Sequence, residues 1–436
     1  MLATEAQDRF RDLAPRRVHH FFTDFDLLER RYPGKFPRQI VAGDGAYLVD
    51  ADGRRLLDGC QHLGACPIGH ARPEMADAIA EQIRTLEFVS LDEGHTHPWV
   101  VELCERLAPL VPPEDPKFYF GSSGSEAVET AFKMARVYHE RQGEPQRKKI
   151  IARDGSYHGV GYGALSANGN PVLREPFAPL VPGFVHAPEF PTLAAAAEIE
   201  AIVQREEPLT VAALIAEPIS MHGSVKVPED GYWQALRDIC DRHGILLIAD
   251  EVVDGFGRTG RMFGCDHFGV KPDIAVVAKG ITSSYVPMGA AIASRRVADA
   301  FVGRPFMHNA TYSGHPVACA AARTVLDILE RERLPEHAAE LEPRVGEHLG
   351  RIAALDGVTS TAVAGMLSSV SWMAPEGDAA RTVSDIAVAA YDRGVLVRGY
   401  AKGDRGATFF YPPLVATADD VDLGLRAVGE VLDELL

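Results

Sequence analysis

Apolar positions recur along this chain with two different periods. From about residue 117, short unbroken apolar runs alternate with longer stretches whose apolar residues return every three or four positions. The runs KFYF, KKIIAR, GFVHAP, VAALIAEP, ILLIAD, IAVVAKG and AAIAS read as strands. Runs without polar alternation suit strands covered on both faces. GSSGSEAVETAFKMARVYHER and GYWQALRDICDRHG read as helices, and in the first Val128, Ala131, Phe132, Ala135 and Tyr138 share one face. Such βα alternation predicts an α/β domain with a mostly parallel sheet between two helical layers. It is placed at residues 60–320.

The chain ends follow other patterns. Residues 1 to 35 carry mixed amphipathic helical patterns, such as Phe21, Phe22, Phe25 and Leu28. IVAGDGAYLVDADGRRLLDG reads as one hairpin about the Asp52-Gly53 turn. Residues 73–90 and 98–110 read as helices, and 316–350 as long helices with Ala318, Ala321, Val325 and Ile328 on one stripe. GMLSSVSWM and GVLVRGY then read as strands around the helix VSDIAVAAYDRG, and ADDVDLGLRAVGEVLDELL as a closing helix. These make a smaller α+β domain of residues 321–436, joined by the segment 1–59.

Composition narrows the picture. A chain of 436 residues exceeds one ordinary core. A net charge of −17 argues against nucleic acid as the main partner, although a cationic pocket can lie within an acidic surface. The opening MLATEAQDRFRDL lacks a signal-peptide pattern, and no window approaches a membrane span. The six cysteines form no CxxC pair, so reduced thiols, a cytoplasmic location and no zinc site are expected.

The chemistry gathers at strand ends. ILLIAD places Asp250 at the carboxyl end of its strand, where open α/β sheets hold ligands. IAVVAKG does the same for Lys279. A lysine is rarely buried unpaired, and desolvation lowers its proton affinity. That suits an amine that bonds to a carbonyl carbon. Ser123-x-x-Glu126 has capping-box spacing, and the N–H groups of Gly124, Ser125 and Glu126 suit a phosphate dianion. A simple capped helix is the plain alternative for this loop, and a helix cap is the alternative for Asp250. Phosphate loop, acid and lysine together point to pyridoxal phosphate, with Asp250 keeping the pyridine nitrogen protonated. In SYHG, Tyr157 could stack on the ring and His158 could support it, or both could be satisfied core residues. Val252 falls on the same side of the backbone as Asp250 and could pack the opposite ring face.

SGSEAVETAFKMAR, SYHG, AEPI, ILLIADEVVDGFGRTGRMFG, KPDIAVVAKG, PMGA, TYSGHPVACAA and GDRGATFFYPPL run in this order over nearly the whole chain. Together they resemble the class III pyridoxal-phosphate aminotransferases of fold type I. The resemblance implies a seven-stranded, mostly parallel sheet in a large domain, with a smaller α+β domain built from both chain ends. It implies that Lys279 forms the internal aldimine and shuttles the proton, and that Asp250 pairs with the pyridine nitrogen. Val252 and Tyr157 would sandwich the ring, and Gly124 and Ser125 would bind the phosphate. Glu217 would lie near the cofactor and Asp250. Thr311 would reach the phosphate of the other subunit, in a homodimer or a tetramer with interfacial active sites. Arg398 would bind a substrate carboxylate, with Arg393 and Arg405 as alternatives. The implied partners are an amine or amino acid donor and a keto acid acceptor, pyruvate or 2-oxoglutarate, in a ping-pong reaction. Aminomutase, dialkyl amino acid decarboxylase and racemase chemistry share this fold, and a nicotinamide-binding or non-catalytic protein is the rival from another class.

Three departures bear on the substrate. Val128 stands where the family loop carries asparagine. EPISMH replaces EPIQGE, so His222 takes the place of a glutamate that would pair with the carboxylate-binding arginine. Gly64, Ala65 and Cys66 are small where amine:pyruvate enzymes often carry an aromatic. A wider pocket is expected there, and Leu63, His62 and Phe88 could line it.

Overall fold

The computed structural model describes Leu13 and residues 24–436, the side chain of His62 excepted. Phe21 and Phe22 therefore lie outside the described residues. Phe25 and Leu28 lie in the helix Phe25–Arg31. The expected single hairpin is a three-stranded meander instead: β1 Ile40–Asp44, β2 Tyr47–Asp50 and β3 Arg55–Asp58. Asp52-Gly53 does turn β2 into β3. A second turn lies between Asp44 and Tyr47, with Gly45 at φ +57°. A Gly-Ala pair gives a weaker turn signal than Asp-Gly, so the first reversal was hidden.

The seven continuous apolar runs form one sheet. They are β4 Lys117–Gly121, β5 Lys149–Arg153, β6 Phe184–Ala187, β7 Val211–Ala216, β8 Leu246–Asp250, β9 Ile274–Val277 and β10 Gly289–Ala293. Their order is β4-β10-β9-β8-β7-β5-β6. Strands β5 to β9 run parallel to one another, and β10 runs antiparallel to both β9 and β4. Both faces are covered, which explains the missing polar alternation. Leu246 and Ile248 pack with Val128, Ala131 and Phe132 of the helix Gly124–Arg141. Leu247 and Ala249 pack on the other side with Ile199 and Val203 of Leu193–Arg205 and with Trp233 and Leu236 of Tyr232–His243. Each of these eleven hydrophobic side chains is at most 3% exposed.

The smaller sheets draw on both ends of the chain. β11 Val358–Ala364 and β12 Leu367–Met373 come first, β13 Val395–Leu396 and β14 Arg398–Lys402 follow, and β15 Arg405–Phe410 closes the set. β13 pairs in parallel with β3, while β14 joins the antiparallel sheet β11-β12-β15-β14. The run GVLVRGY is thus shared between two sheets and is not one strand. Helix ends are shorter than the periodicity suggests: Pro73–Thr85, Pro98–Leu107, and a break between Pro316–Arg331 and Leu334–Ile352. The break falls at Arg333, whose φ of +51° no helix accommodates.

Candidate active site

Strands β8 and β9 bring the acid and the amine together. Asp250 is in register with Val276, and Lys279 lies just beyond the end of β9. Alternation along β8 puts Asp250 on the face of Ile248, the side covered by the helix Gly124–Arg141. Asp250 is buried. Its Oδ2 accepts from His158 Nδ1 at 2.7 Å, and its Oδ1 accepts from the Val252 amide at 3.2 Å. Among the described residues His158 Nε2 is buried without a partner. The ring is thereby fixed as an Nδ1–H donor to Asp250.

His158 is itself held. Asn168 Oδ1 accepts from the His158 amide at 2.6 Å, and Asn168 Nδ2 donates to Gly159 O at 2.9 Å. Behind this lies a second acid. Glu217, just past the end of β7, accepts from Arg153 Nη2 at 3.1 Å and from the Tyr157 amide at 3.3 Å. Burial alone would raise the Glu217 carboxyl, but the charges of His158 and Arg153 bring it below its ordinary value.

Lys279 is mostly enclosed and adopts φ +45°. Non-glycine residues seldom take that conformation, and such strain gathers at functional sites. Ser283 and Ser284 also have positive φ, at +50° and +60°. Burial pulls the Lys279 ammonium down to about 8, against the opposing pull of Asp250. A sizeable neutral fraction at neutral pH is what an amine nucleophile needs.

The glycine-serine loop faces the same space. A cavity of about 270 Å³ is lined by Ser122, Ser123, Gly124, Lys279, Thr282 and Ser284, among others. The helix begins at Gly124 after the cap Ser123, whose Oγ accepts from the Glu126 amide at 3.2 Å. The return bond of the expected box reaches Ser122 N, at 2.6 Å from Glu126 Oε2, one residue earlier than the spacing suggests. The Gly124 and Ser125 amides keep no intrahelical acceptor. A Cβ on Gly124 would sit 3.3 Å from both Val252 methyls and 3.4 Å from Ala278 Cβ. Glycine here leaves room directly beside Val252. Gly159, at φ +137°, packs on Ser125, and the Val160 amide donates to Ser125 Oγ at 3.0 Å.

These residues fit pyridoxal phosphate: a depressed amine, a buried carboxylate fixed by His158, and open N–H groups at a helix start. The Aminotransferase class-III family model matches residues 30–432. The chain belongs to the class-III aminotransferases. It is 36% identical over 419 residues to the beta-alanine–pyruvate aminotransferase of Pseudomonas aeruginosa, covering 92% of each. The omega-amino acid–pyruvate aminotransferase of Pseudomonas putida is 35% identical, over 92% of this chain and 93% of that one. Among solved structures, an (S)-enantioselective omega-transaminase from Thermomicrobium roseum superposes with a TM-score of 0.92 at 37% identity, over 98% of this chain and 99% of that one. The fold is therefore fold type I, the cofactor is pyridoxal 5'-phosphate, and the activity is ping-pong transfer of an amino group.

The remaining expected residues of this aminotransferase fall into two groups. Arg398 opens β14 and is exposed, and its charge is felt at Lys279, Tyr157 and His222. Among the described residues its guanidinium has no hydrogen-bond or ion-pair partner. The alternatives sit elsewhere: Arg393 pairs with Glu430 at 3.5 Å and with Glu434, and Arg405 lies at the hairpin end opposite Lys402. Thr311 is exposed and does not line the cavity. Its neighbour Tyr312 packs on Phe88, with ring centroids 6.2 Å apart. Phe88 thus packs with the segment that carries Thr311. A Cβ on Gly64 would sit 3.8 Å from the ring of the buried Tyr411 and 3.9 Å from a Val253 methyl. Sequence reasoning missed Arg153, Asn168 and Asn170. Arg153 ended an apolar strand, as Asp250 did, and that position was its one available signal.

Proposed function

We propose that this aminotransferase takes the amino group from a primary amine or omega-amino acid and delivers it to a small keto acid, pyruvate first. The observation that carries the reading is Arg398: an exposed guanidinium without a carboxylate partner, electrostatically coupled to Lys279. A guanidinium grips a carboxylate in a planar, bidentate way. The relatives' names support the donor and acceptor classes, since they specify beta-alanine or omega-amino acids with pyruvate.

Bound pyridoxal phosphate supplies the electron sink for loss of a proton beside nitrogen. The chain supplies the rest. Lys279 Nζ would carry the proton away from the substrate carbon and give it back at the cofactor carbon. Asp250, fixed by His158, holds a proton at the pyridine nitrogen. Gly124 and Ser125 present N–H groups to the phosphate. Val252 and Tyr157 would cover the ring. Glu217 fixes the Tyr157 backbone and adds negative charge near the site. Thr311 is exposed and does not line the cavity of its own chain, and it is assigned to a second copy, in a homodimer. The small residues Gly64, Ala65 and Cys66 widen the donor side. No described helix is long and apolar enough to cross a membrane. No disulfide joins the six cysteines, which supports a reducing compartment such as the cytoplasm.

Steady-state kinetics of Arg398→Leu test the assignment. The keto acid KM should rise at least tenfold, while the half-reaction with a carboxylate-free amine stays near its wild-type rate. An unchanged keto acid KM would remove Arg398 from the acceptor site.

A further inference from the structure

The loop after β7 contains a cluster that the residue roles above do not use. The imidazole of His222 stacks on the Tyr157 ring, with centroids 5.9 Å apart and planes at 23°. Tyr400 meets the same imidazole edge-on, at 5.2 Å and 73°. Asn170 Nδ2 lies 3.2 Å from His222 Nε2 and 3.3 Å from the Tyr400 hydroxyl, so one amide serves both rings. The loop is pinned as well. Lys226, 5% exposed, donates to the His222 carbonyl and pairs with Glu189 at 3.3 Å. Val225 N donates to Ser369 Oγ of β12 at 2.9 Å. Gly223 turns the chain at φ +83° and leaves space for Tyr400, which would lie 3.5 Å from a Cβ there.

Tyr400 stands two residues after Arg398 in β14, so both side chains leave the strand on one face. The cluster therefore spans from the strand of the carboxylate-binding arginine to the aromatic that covers the cofactor. We propose that His222 is a positioning residue: it backs Tyr157 against the cofactor ring and ties that cover to the strand bearing Arg398. The proposal rests on the roles of Tyr157 and Arg398 given above. The chemistry suits the task. A neutral imidazole stacks as an aromatic and accepts from Asn170 through Nε2. Burial pulls its pKa down to about 4, with the Lys226 charge adding to the effect, so the ring stays neutral near pH 7. A glutamate in its place could neither stack on Tyr157 nor leave Arg398 without an ion pair.

The test uses purified protein and three variants: His222→Ala, His222→Phe and Tyr157→Ala. Pyridoxal phosphate is titrated into each apoprotein, and both the dissociation constant and the circular dichroism of the bound cofactor are read. His222→Ala should weaken cofactor binding roughly three- to tenfold, the scale of one aromatic pair, and reduce the dichroic band. His222→Phe keeps a stacking ring and should restore most of both. The keto acid KM should rise more than kcat falls in His222→Ala, because Arg398 loses its tie through Tyr400. If Tyr157→Ala weakens binding and His222→Ala does not, the link is overturned and the Tyr157 cover stands. If neither changes binding or dichroism, the cover role fails and the link fails with it. Should His222→Ala not fold, failure of His222→Phe to keep wild-type dichroism would equally overturn the stacking role.

Discussion

Lys279 combines two states a lysine avoids, a positive φ and a mostly enclosed ammonium. Both oppose folding, and both serve a nucleophilic amine. Because its folded pKa lies below the ordinary value of 10.5, the fold disfavours the charged form. The penalty is full below about pH 8 and disappears as pH rises toward 10.5. Lys279→Ala apoprotein should therefore unfold at higher denaturant than wild type at pH 7, by about 1–2 kcal/mol after allowing for partial exposure. The two should converge above pH 10, and equal stability at pH 7 would contradict the desolvated amine. Capture of the cofactor by wild-type apoprotein should speed up with pH and level off above about 8. Arg153 and Glu217 make a second residue-scale test. Arg153→Met leaves a buried carboxylate without its main partner and should cost about 3–5 kcal/mol in chemical unfolding. Asp250 and Lys279 were legible in the sequence because each ends an apolar run with a charge. Arg153 ends KKIIAR in the same way, but three basic residues in six made it look like an ordinary solvated strand end. Asn168 was not legible as a site residue, since its partner lies 10 positions away, and the EPISMH departure singled out His222 without revealing its stacking on Tyr157, 65 positions away.

At the scale of elements, the turn after β5 and the helix start at Gly124 form one cradle. Gly159 is the joint between them. A Cβ there would come within 2.5 Å of Ser125 Oγ and 3.0 Å of its backbone, at a φ that side chains disfavour. Gly159→Ala should displace Ser125 and weaken binding of free inorganic phosphate and of the cofactor by tenfold or more. Unchanged phosphate binding, read by calorimetry, would show that Ser125 does not serve that ligand. Gly124→Ala meets only methyl groups at 3.3–3.4 Å and should do less damage. All seven strands of the large sheet were legible, because burial on both faces writes itself as an uninterrupted apolar run. β11 was not, because VTSTAVA is half exposed and mixes polar with apolar residues. The division of GVLVRGY between β13 and β14 was hidden too. Both halves are apolar, and only pairing with β3 on one side and β15 on the other separates them.

At the scale of the whole molecule, the two chain ends are joined by β3 and β13, and the strand bearing Arg398 follows directly from that junction. On the proposed role of Arg398, the smaller unit would carry the acceptor site and the larger sheet the amine. Thr311 extends the argument to a second copy. Thr311→Ala should leave the homodimer intact in analytical ultracentrifugation yet weaken cofactor binding several-fold, and a monomeric wild-type protein with full activity would refute the assignment. The central claim is that Lys279 is the amine that holds the cofactor and moves the proton. Its most direct test is the absorption spectrum of the holoenzyme during titration with an amine donor and no acceptor. The long-wavelength band of lysine-bound cofactor should fall as the near-ultraviolet band of the aminated cofactor rises, and pyruvate should reverse the change. Lys279→Ala should bind cofactor but fail to convert it. Conversion by Lys279→Ala at the wild-type rate, or a wild-type band that no donor alters, would contradict the account.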